Sequence, residues 1–573
     1  MSARELITEH LDLWTGAVRK KTSSGRGSNG KVELTGVKRL RELIFQLAVR
    51  GQLIEQNADD EPAVALKQRI TLKKKALMAS GELKKQRLPS HIQDTPPPFK
   101  VPEKWEWVAF GEVTFNRDSE RVPLSVDDRR KRSGKFDYYG ASGVIDNIDD
   151  YLFEVPLLLI GEDGANLINR STPIAFIARG KYWVNNHAHV IDGISEDFLR
   201  YLCLYINAIS LEPYVTGTAQ PKMNQAKMNS IPVPLPPEKE QHRIVQKVDE
   251  LMALCDRLEQ QTSDQLEAHE TLVDTLLGTL TQSKNATELA DNWTRFAAHF
   301  DTLFTTEQSI DKLKQTILQL AVMGRLVEQD AGDEPSIDLL TQIHTRKIAL
   351  AGDRRIKQPR PLTQLDDTQH SYTAPAHWAW ASFQDMADEI STGPFGSMIH
   401  KHDYVEGGIP LINPSHMVNG NINEDSSVSV SPPKAEELSS YKLAKGDIVM
   451  ARRGEVGRCA LVTDRESGWL CGTGSFVLRF HPAMNRRFIL LLFSTDTVRD
   501  YLIGNSVGTT MTNLNHGILK KMPVALPPAE EQHRIVQKVD ELMALCDQLE
   551  ERLNQASETR CQLADTVVEG ALR

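Results

Sequence analysis

From Ile244 onward, apolar or small residues fall at Val248, Leu251, Cys255, Leu258, Thr262, Leu266, Leu272 or Val273, Leu276 and Leu280, with polar residues between them. Steps of four and three held over several heptads predict a long helix with a coiled-coil seam. Pro236-Pro237 followed by Glu238 and Glu240 supplies a stiff entry and first-turn acids. The stripe returns at Ile535, Val539, Leu542, Cys546, Leu549, Leu553, Leu563 and Val567. A helix of about 45 residues spans ~68 Å. Two such helices, each leaving a domain, are expected to pair antiparallel and relate the domains by a pseudo-two-fold axis. The alternative is that each buries its stripe on its own domain.

Shorter patterns flank these helices. Leu40, Ile44 and Leu47 before Gly51 predict an amphipathic helix with a glycine stop. Leu66, Ile70 and Leu77, interleaved with Lys67, Arg69, Lys73, Lys74 and Lys75, predict a basic helix that Lys84, Lys85 and Arg87 extend. That face reads as solvated charge, or else as an edge for an acidic partner or a phosphate. Strand-like runs are 151–160, 173–177, 182–184, 447–451 and 475–480, and helical runs are 196–209 and 486–502. Residues 23–30 have linker composition, and 94–99 (DTPPPF) is a stiff approach to the strand-rich stretch beyond it.

Repetition organises these elements. Residues 241–256 and 532–547 are the same sixteen letters, QHRIVQKVDELMALCD, and QLAVRGQLIEQ at 46–56 returns as QLAVMGRLVEQ at 319–329. Ala48 to Ala321 and Trp105 to Trp378 are both 273 residues, whereas Pro236 to Pro527 and His242 to His533 are both 291. The chain therefore alternates constant blocks with two dissimilar inserts, the second longer by 18. Such a period is too long for a solenoid and reads as a duplicated module.

Composition changes the picture less. The 573 residues imply several domains, and no apolar run approaches a membrane span. The N-terminal acids and broken apolar pattern do not read as a secretory leader. Six cysteines without a CxxC pair suggest a reduced compartment. Net charge is −10, and the inserts hold 13 basic and 16 acidic residues (107–235) and 14 and 15 (380–527), so total charge does not suggest nucleic acid. Each insert ends alike, in VTGTAQPKMN (215–224) and SVGTTMTNLN (506–515), then IPVPLPP and MPVALPP; a Gly-Thr loop rich in Asn, Thr and Lys can meet phosphates or base edges.

The repeated LPP and EQHRIVQKVDELM blocks, the LAV-x-GxL-x-EQ blocks, and the insert runs LIGEDGAN (159–166), WVNNHAHV (183–190), GGIPLI (407–412) and GDIVMARRG (446–454) carry a resemblance. The chain resembles the specificity subunits of type I DNA restriction–modification systems over nearly its whole length. That resemblance implies a multi-domain α/β chain with two mixed α/β target recognition domains, joined by long repeated helices in an antiparallel coiled coil. The implied boundaries are a helical region 1–103, the first target recognition domain 104–237, a coiled-coil helix 238–284, a helical region 285–375, the second target recognition domain 376–528 and a second helix 529–573. Implied, too, is a non-catalytic cytoplasmic subunit that reads a bipartite, asymmetric site on double-stranded DNA. It would dock two methyltransferase (modification) subunits and through them restriction subunits. S-adenosylmethionine, ATP and Mg2+ belong to those partners, and no cofactor or metal to this chain. A scaffold that binds proteins and never DNA is the competing reading.

Basic clusters and polar loops nominate the DNA contacts. In the first insert these are Arg129, Arg130, Lys131, Arg132, Lys135, Tyr138, Tyr139, Lys222, Asn224 and Lys227. In the second they are Lys401, His402, Arg452, Arg453, Arg458, Asn513, Asn515, Lys520 and Lys521. Ile244, Val248, Leu251, Leu258, Ile535, Val539, Leu542 and Leu549 are the nominated seam and partner-binding positions. Catalytic motifs fail: PPPF at 96–99 has Thr95 where an adenine methyltransferase needs Asn or Asp, and no GxxxxGK[ST] loop exists. His187 and His189 near Asp192 read as hydrogen-bonded histidines before metal ligands.

Overall fold

The computed structural model describes residues 7–20, 32–84, 97–217, 220–284, 286–353, 356–362, 365, 372–395, 397–504 and 514–572. The linker 23–30, Lys85, Arg87, residues 94–96, Asn513 and most of 506–515 lie outside them. Two compact units make up the chain: Met1–Gln265 with Ala556–Arg573, and Leu266–Gln555. Among the described residues no helix is long and apolar enough to cross a membrane.

In the first unit a short helix (Leu11–Gly16) and an antiparallel pair of two-residue strands (Arg19–Lys20 with Val32–Glu33) precede α1 (Thr35–Val49), which buries Leu40, Leu43, Ile44 and Leu47, and α2 (Ala63–Ala79). Between them Gly51 stops α1 at φ +69, and a Cβ there would strike Pro102 and Trp105. β1 (Glu106–Ala109) then pairs antiparallel with a strand far along the chain, Pro232–Leu235, so the insert leaves and returns through a two-stranded stem. Within the insert come β2 (Phe115–Asn116), β3 (Ser133–Gly140), β4 (Gly143–Ile148), β5 (Leu157–Gly161), β6 (Ala175–Ala178), β7 (Tyr182–Val184) and β8 (Ala188–Asp192). They form a four-stranded antiparallel sheet, β2-β8-β5-β6, and a three-stranded sheet, β4-β3-β7, with β3 and β7 parallel. Helix α3 (Glu196–Ala208) closes the insert, β9 (Pro232–Leu235) completes the stem, and α4 (Glu238–Thr281) leaves it for 44 residues.

The second unit repeats the plan. Helices α5 (Glu307–Val322) and α6 (Ser336–Gly352) precede β10 (Ala379–Ser382), whose stem partner is Pro523–Leu526. Inside are β11 (Ala387–Thr392), β12 (Tyr404–Ile412), a hairpin of β13 (Met417–Val418) and β14 (Asn421–Ile422), β15 (Ser429–Val430), β16 (Ile448–Ala451), β17 (Cys459–Leu461), β18 (Leu470–Cys471) and β19 (Ser475–Phe480). The sheets run β11-β19-β16-β17 and β15-β12-β18, and β12 and β18 are parallel. Dissimilar sequences thus give one topology. The hairpin explains most of the extra length: residues 141–142 link β3 to β4, whereas 413–428 link β12 to β15. The helical run 486–502 is broken into α7 (Arg486–Ser494) and α8 (Asp496–Gly504) at buried Thr495, whose hydroxyl donates to the Leu492 carbonyl. β20 (Pro523–Leu526) and α9 (Ala529–Ala571) finish the chain.

The repeated letters are spent on repeated contacts. Glu240 accepts from the Trp105 indole at 2.9 Å and from Gln56 at 2.7 Å; Glu531 does the same with Trp378 and Gln329 at 2.9 and 2.6 Å. Arg243 reaches buried Asp60, and Arg534 reaches buried Asp333, each at 2.5 Å. In the first unit α1 offers Arg39 to Asp565 and Arg41 to Asp256 and Glu259. In the second, α5 offers Lys312 to Glu270 and Asp274, and Lys314 to Asp547 and Glu550. Each short helix therefore holds acids from two long-helix segments.

These contacts show that the stripe packs on the short helices and the inserts as well as on the other long helix. Ile244, Val248 and Leu251 are buried, and Leu258 partly buried, in the core that α1 and the first insert share. Ile535 and Val539 are buried, and Leu542 and Leu549 partly buried, in the second unit's core. In each core the two long helices contribute opposite ends: Cys561 and Ala564 of α9 join Val248 and Cys255 of α4 in the first unit, and Val273 and Leu277 of α4 join Ile535 and Val539 of α9 in the second, as an antiparallel seam requires. The basic helix keeps Arg69, Lys73 and Lys75 exposed, as a solvated face requires, with one exception. Lys74 is buried, its ammonium donating to the carbonyls of Gly111 and Thr114 at 2.5 and 2.8 Å, and burial pulls its pKa down to about 8. Lys347 repeats the contact on the Gln384 carbonyl. All six cysteines are free, and five are buried.

Candidate nucleic-acid interface

The run 129–135 sits at the end of a short helix, Val126–Lys131, capped by Ser125, whose hydroxyl accepts from the Asp128 amide. Cations in its last turn suit the helix dipole. Two of them are occupied. Arg129 pairs with Asp146 at 2.9 Å and lies over the Tyr138 ring; Arg132 pairs with Asp149 at 2.9 Å and lies over Trp183. Tyr138 is fully buried, with its hydroxyl accepting from the Leu124 amide, and so cannot touch a ligand at the surface. Tyr139 is half-buried and stacked on Phe176. Arg130, Lys131 and Lys135 remain exposed, with Arg130 only loosely paired to Asp127 at 3.6 Å.

The residue following β5 anchors a second cluster. Glu162 donates its amide to the His187 carbonyl and accepts at its own carbonyl from the Met223 amide. Its carboxylate meets Arg121 at 2.8 Å, Lys222 at 3.1 Å and His189 at 3.8 Å. Burial opposes that charge, but Arg121, His189 and Lys222 outweigh it and hold the group below its ordinary pKa. His189 is fully enclosed between Asp118 at 2.7 Å and the Met223 carbonyl at 2.9 Å. Burial favours its neutral form, yet Asp118 prevails and raises its pKa. His187 rests on Asp163 at 2.8 Å. The histidines are hydrogen-bonded, and no group of metal-ligating type is found among the described residues. Asn224 caps the helix Gln225–Asn229 through the Lys227 amide, and Lys227 is exposed.

In the second insert the backbone ties recur with different side chains. Arg452, following β16, donates its amide to the Gly474 carbonyl and accepts from the Leu514 amide. Asn515 then caps His516–Lys521 through the Ile518 amide, as Asn224 does in the first insert. The Arg452 guanidinium lies 5.4 Å from the Phe476 ring centroid, and Arg458 pairs with Glu455. Arg453 and Lys521 are exposed, as are Lys401 and His402, the latter stacked on His400. Lys520 is half-buried; burial lowers its pKa, and Lys357 and Arg360 add to the effect. Sequence spacing does not reveal those two cations, because nothing in it ties them to a helix some 160 residues on.

The type I restriction modification DNA specificity domain is matched twice, at residues 102–268 and 390–558. The chain is 35% identical, over all of both chains, to the type I restriction enzyme EcoEI specificity subunit of Escherichia coli, and 33% identical over the same share to the EcoAI specificity subunit. A crystal structure of the HsdS subunit from Thermoanaerobacter tengcongensis aligns over 83% of this chain and 98% of that one, at 17% identity and a TM-score of 0.40.

Proposed function

This chain belongs to the type I restriction–modification DNA specificity family, and from that membership we propose how its parts divide the work. It is the non-catalytic specificity subunit of such a system, with two target recognition domains. Each insert reads one half of a bipartite site on double-stranded DNA in the cytoplasm, and the long helices set the unread spacer between them. The observation that carries this reading is one strand topology built twice from unlike sequences on like stems. That is what two readers of different half-sites need.

Exposed cations serve the DNA: Arg130, Lys131, Lys135 and Lys227, with Lys222 and Asn224 at the Gly-Thr loop, in the first reader. In the second reader exposed Lys401, His402, Arg453 and Lys521 serve it, with Arg452, Arg458, Asn515 and Lys520 beside them and Asn513 in the Gly-Thr loop. Arg129, Arg132 and Tyr138 instead shape the surface from which Arg130 and Lys131 project. Two methyltransferase subunits, and through them restriction subunits, dock on what the repeated letters leave over. Among the repeat positions, Gln246 and Ala253 and their copies Gln537 and Ala544 stay exposed at helical spacing, beside the ion pairs Lys247–Glu250 and Lys538–Glu541.

The test is to express the chain with its methyltransferase and map modified adenines by long-read sequencing. A bipartite motif is expected, and exchanging residues 104–237 alone should change one half of it. A continuous motif, or both halves changing together, would defeat the reading. Ala253→Arg with Ala544→Arg should abolish methyltransferase capture while circular dichroism stays unchanged.

A further inference from the structure

The position following β5 and its twin following β16 carry opposite charges on one backbone frame. His189 pairs with Ile160 across the sheet, and Phe476 pairs with Met450, so Glu162 over His189 corresponds to Arg452 over Phe476. Both members of the pair have changed together. In the first reader the acid is enclosed by Arg121, Lys222 and His189, and its charge is answered within the protein. In the second, Arg452 makes no ion pair among the described residues, and the sequence 505–513 contains no acid. Its neighbour Arg453 is exposed and also cationic.

Arg452 is rigidly mounted. Two backbone hydrogen bonds fix its Cα at the strand end, and the guanidinium rests on fully buried Phe476, which stacks on His516 at 5.6 Å. Its Nε is shut away without an acceptor, leaving the two terminal nitrogens as its available donors. A planar fork laid on a buried ring, with its terminal nitrogens unspent on acids among the described residues, suits the paired acceptors O6 and N7 of guanine in the major groove. The flexible, exposed Arg453, Lys401 and Lys521 suit phosphates, which need charge but no fixed angle.

We infer that Arg452 is the specificity-determining residue that reads a guanine in the second half-site, whereas Glu162 at the matching position only positions Arg121 and Lys222. This rests on the reading of the chain as a DNA specificity subunit. The two half-sites then differ in how they are read as well as in what is read: the first reader has no fixed arginine fork at this place.

The experiment uses the full chain assembled with its methyltransferase, on wild-type sites and on every single-base variant of the second half-site. Arg452→Gln should lower methylation of the wild-type site about 10- to 100-fold. It should also relax discrimination at one guanine and leave the first half unchanged. Arg452→Lys, which keeps charge but loses the fork, should retain binding and lose that discrimination, so the test survives if the glutamine variant is unstable. Arg453→Gln should weaken all sequences evenly. Unchanged motifs in both Arg452 variants, or an even loss across all base variants as a phosphate contact would give, would overturn the assignment alone. Failure of the wild-type chain to give any bipartite motif would overturn the parent reading and this one with it.

Discussion

The repeated blocks and the inserts keep their shapes by different means. In the blocks, matching contacts come from matching residues: Trp105, Glu240 and Gln56 are answered by Trp378, Glu531 and Gln329. In the inserts, matching topology comes from residues that do not match, held by strand ladders and by backbone ties such as those at 162 and 452. Side-chain locks demand particular letters, so the letters recur. Backbone hydrogen bonds demand only strand-compatible residues, which leaves the side chains of a reader free to differ. That division lets recognition vary while the mounting does not.

The comparison breaks most visibly at the tryptophans. Trp105→Ala and Trp378→Ala each empty a buried site and should each cost about 3–5 kcal/mol in urea unfolding of the affected unit. A gap above about 2 kcal/mol between the two would show that the locks are not equivalent. Next come the arginine pairs. Arg243→Ala and Arg534→Ala each strand a buried carboxylate and should cost about 1–3 kcal/mol. Asp60 and Asp333 are held below their ordinary range, first by the hydrogen bond from their arginine. Their stabilisation is therefore present above the unfolded carboxylate pKa and lost as pH falls through the folded one. Both alanine variants should flatten that acid limb.

A smaller effect separates the readers. His189 is raised above its ordinary pKa of about 6.5 despite burial, because Asp118 favours its charge. Its contribution is complete below the unfolded value and lost as pH rises through the folded one. The first unit should weaken across that window, the second should not, since Phe476 takes the place of His189, and His189→Gln should remove the difference. The smallest effect sharpens the block comparison. Lys312→Arg with Lys314→Arg copies the first unit's cations into the second and should shift stability by no more than about 0.5 kcal/mol.

Much of this was legible in the chain. The stripe from Ile244 gave the long helix, and the 273 and 291 offsets bracketed the two inserts and the extra 18 residues of the second, though not the stems or the hairpin that the extra length builds. Strands 182–184 and 475–480 stand where alternation and β-branched residues placed them. What the stripe could not say is against what it packs. A four-three pattern is satisfied equally by a second helix or by a domain's own core, and Ile244, Val248 and Leu251 lie in a core that contains both, with Cys561 and Ala564 of α9 beside the residues of α1 and the first insert in one cluster. The basic run at 129–135 misled for a related reason. Arg129 and Arg132 find Asp146 and Asp149 on the neighbouring hairpin, and a linear reading sees the cations but not the acids folded against them. Arg452 could be seen in the sequence, but that it makes no ion pair among the described residues could not.

The segment 556–573 belongs with the first unit although it follows the whole second unit in sequence. Cys561 and Ala564 are buried in the same core cluster as Leu40 and Ile44. On a ribosome adding roughly 5–20 residues per second, that apolar seat stands open for about 15 to 60 s after α4 has emerged. Nascent chains should therefore engage holdase chaperones through this face, and translation pauses in the second half should lengthen the engagement.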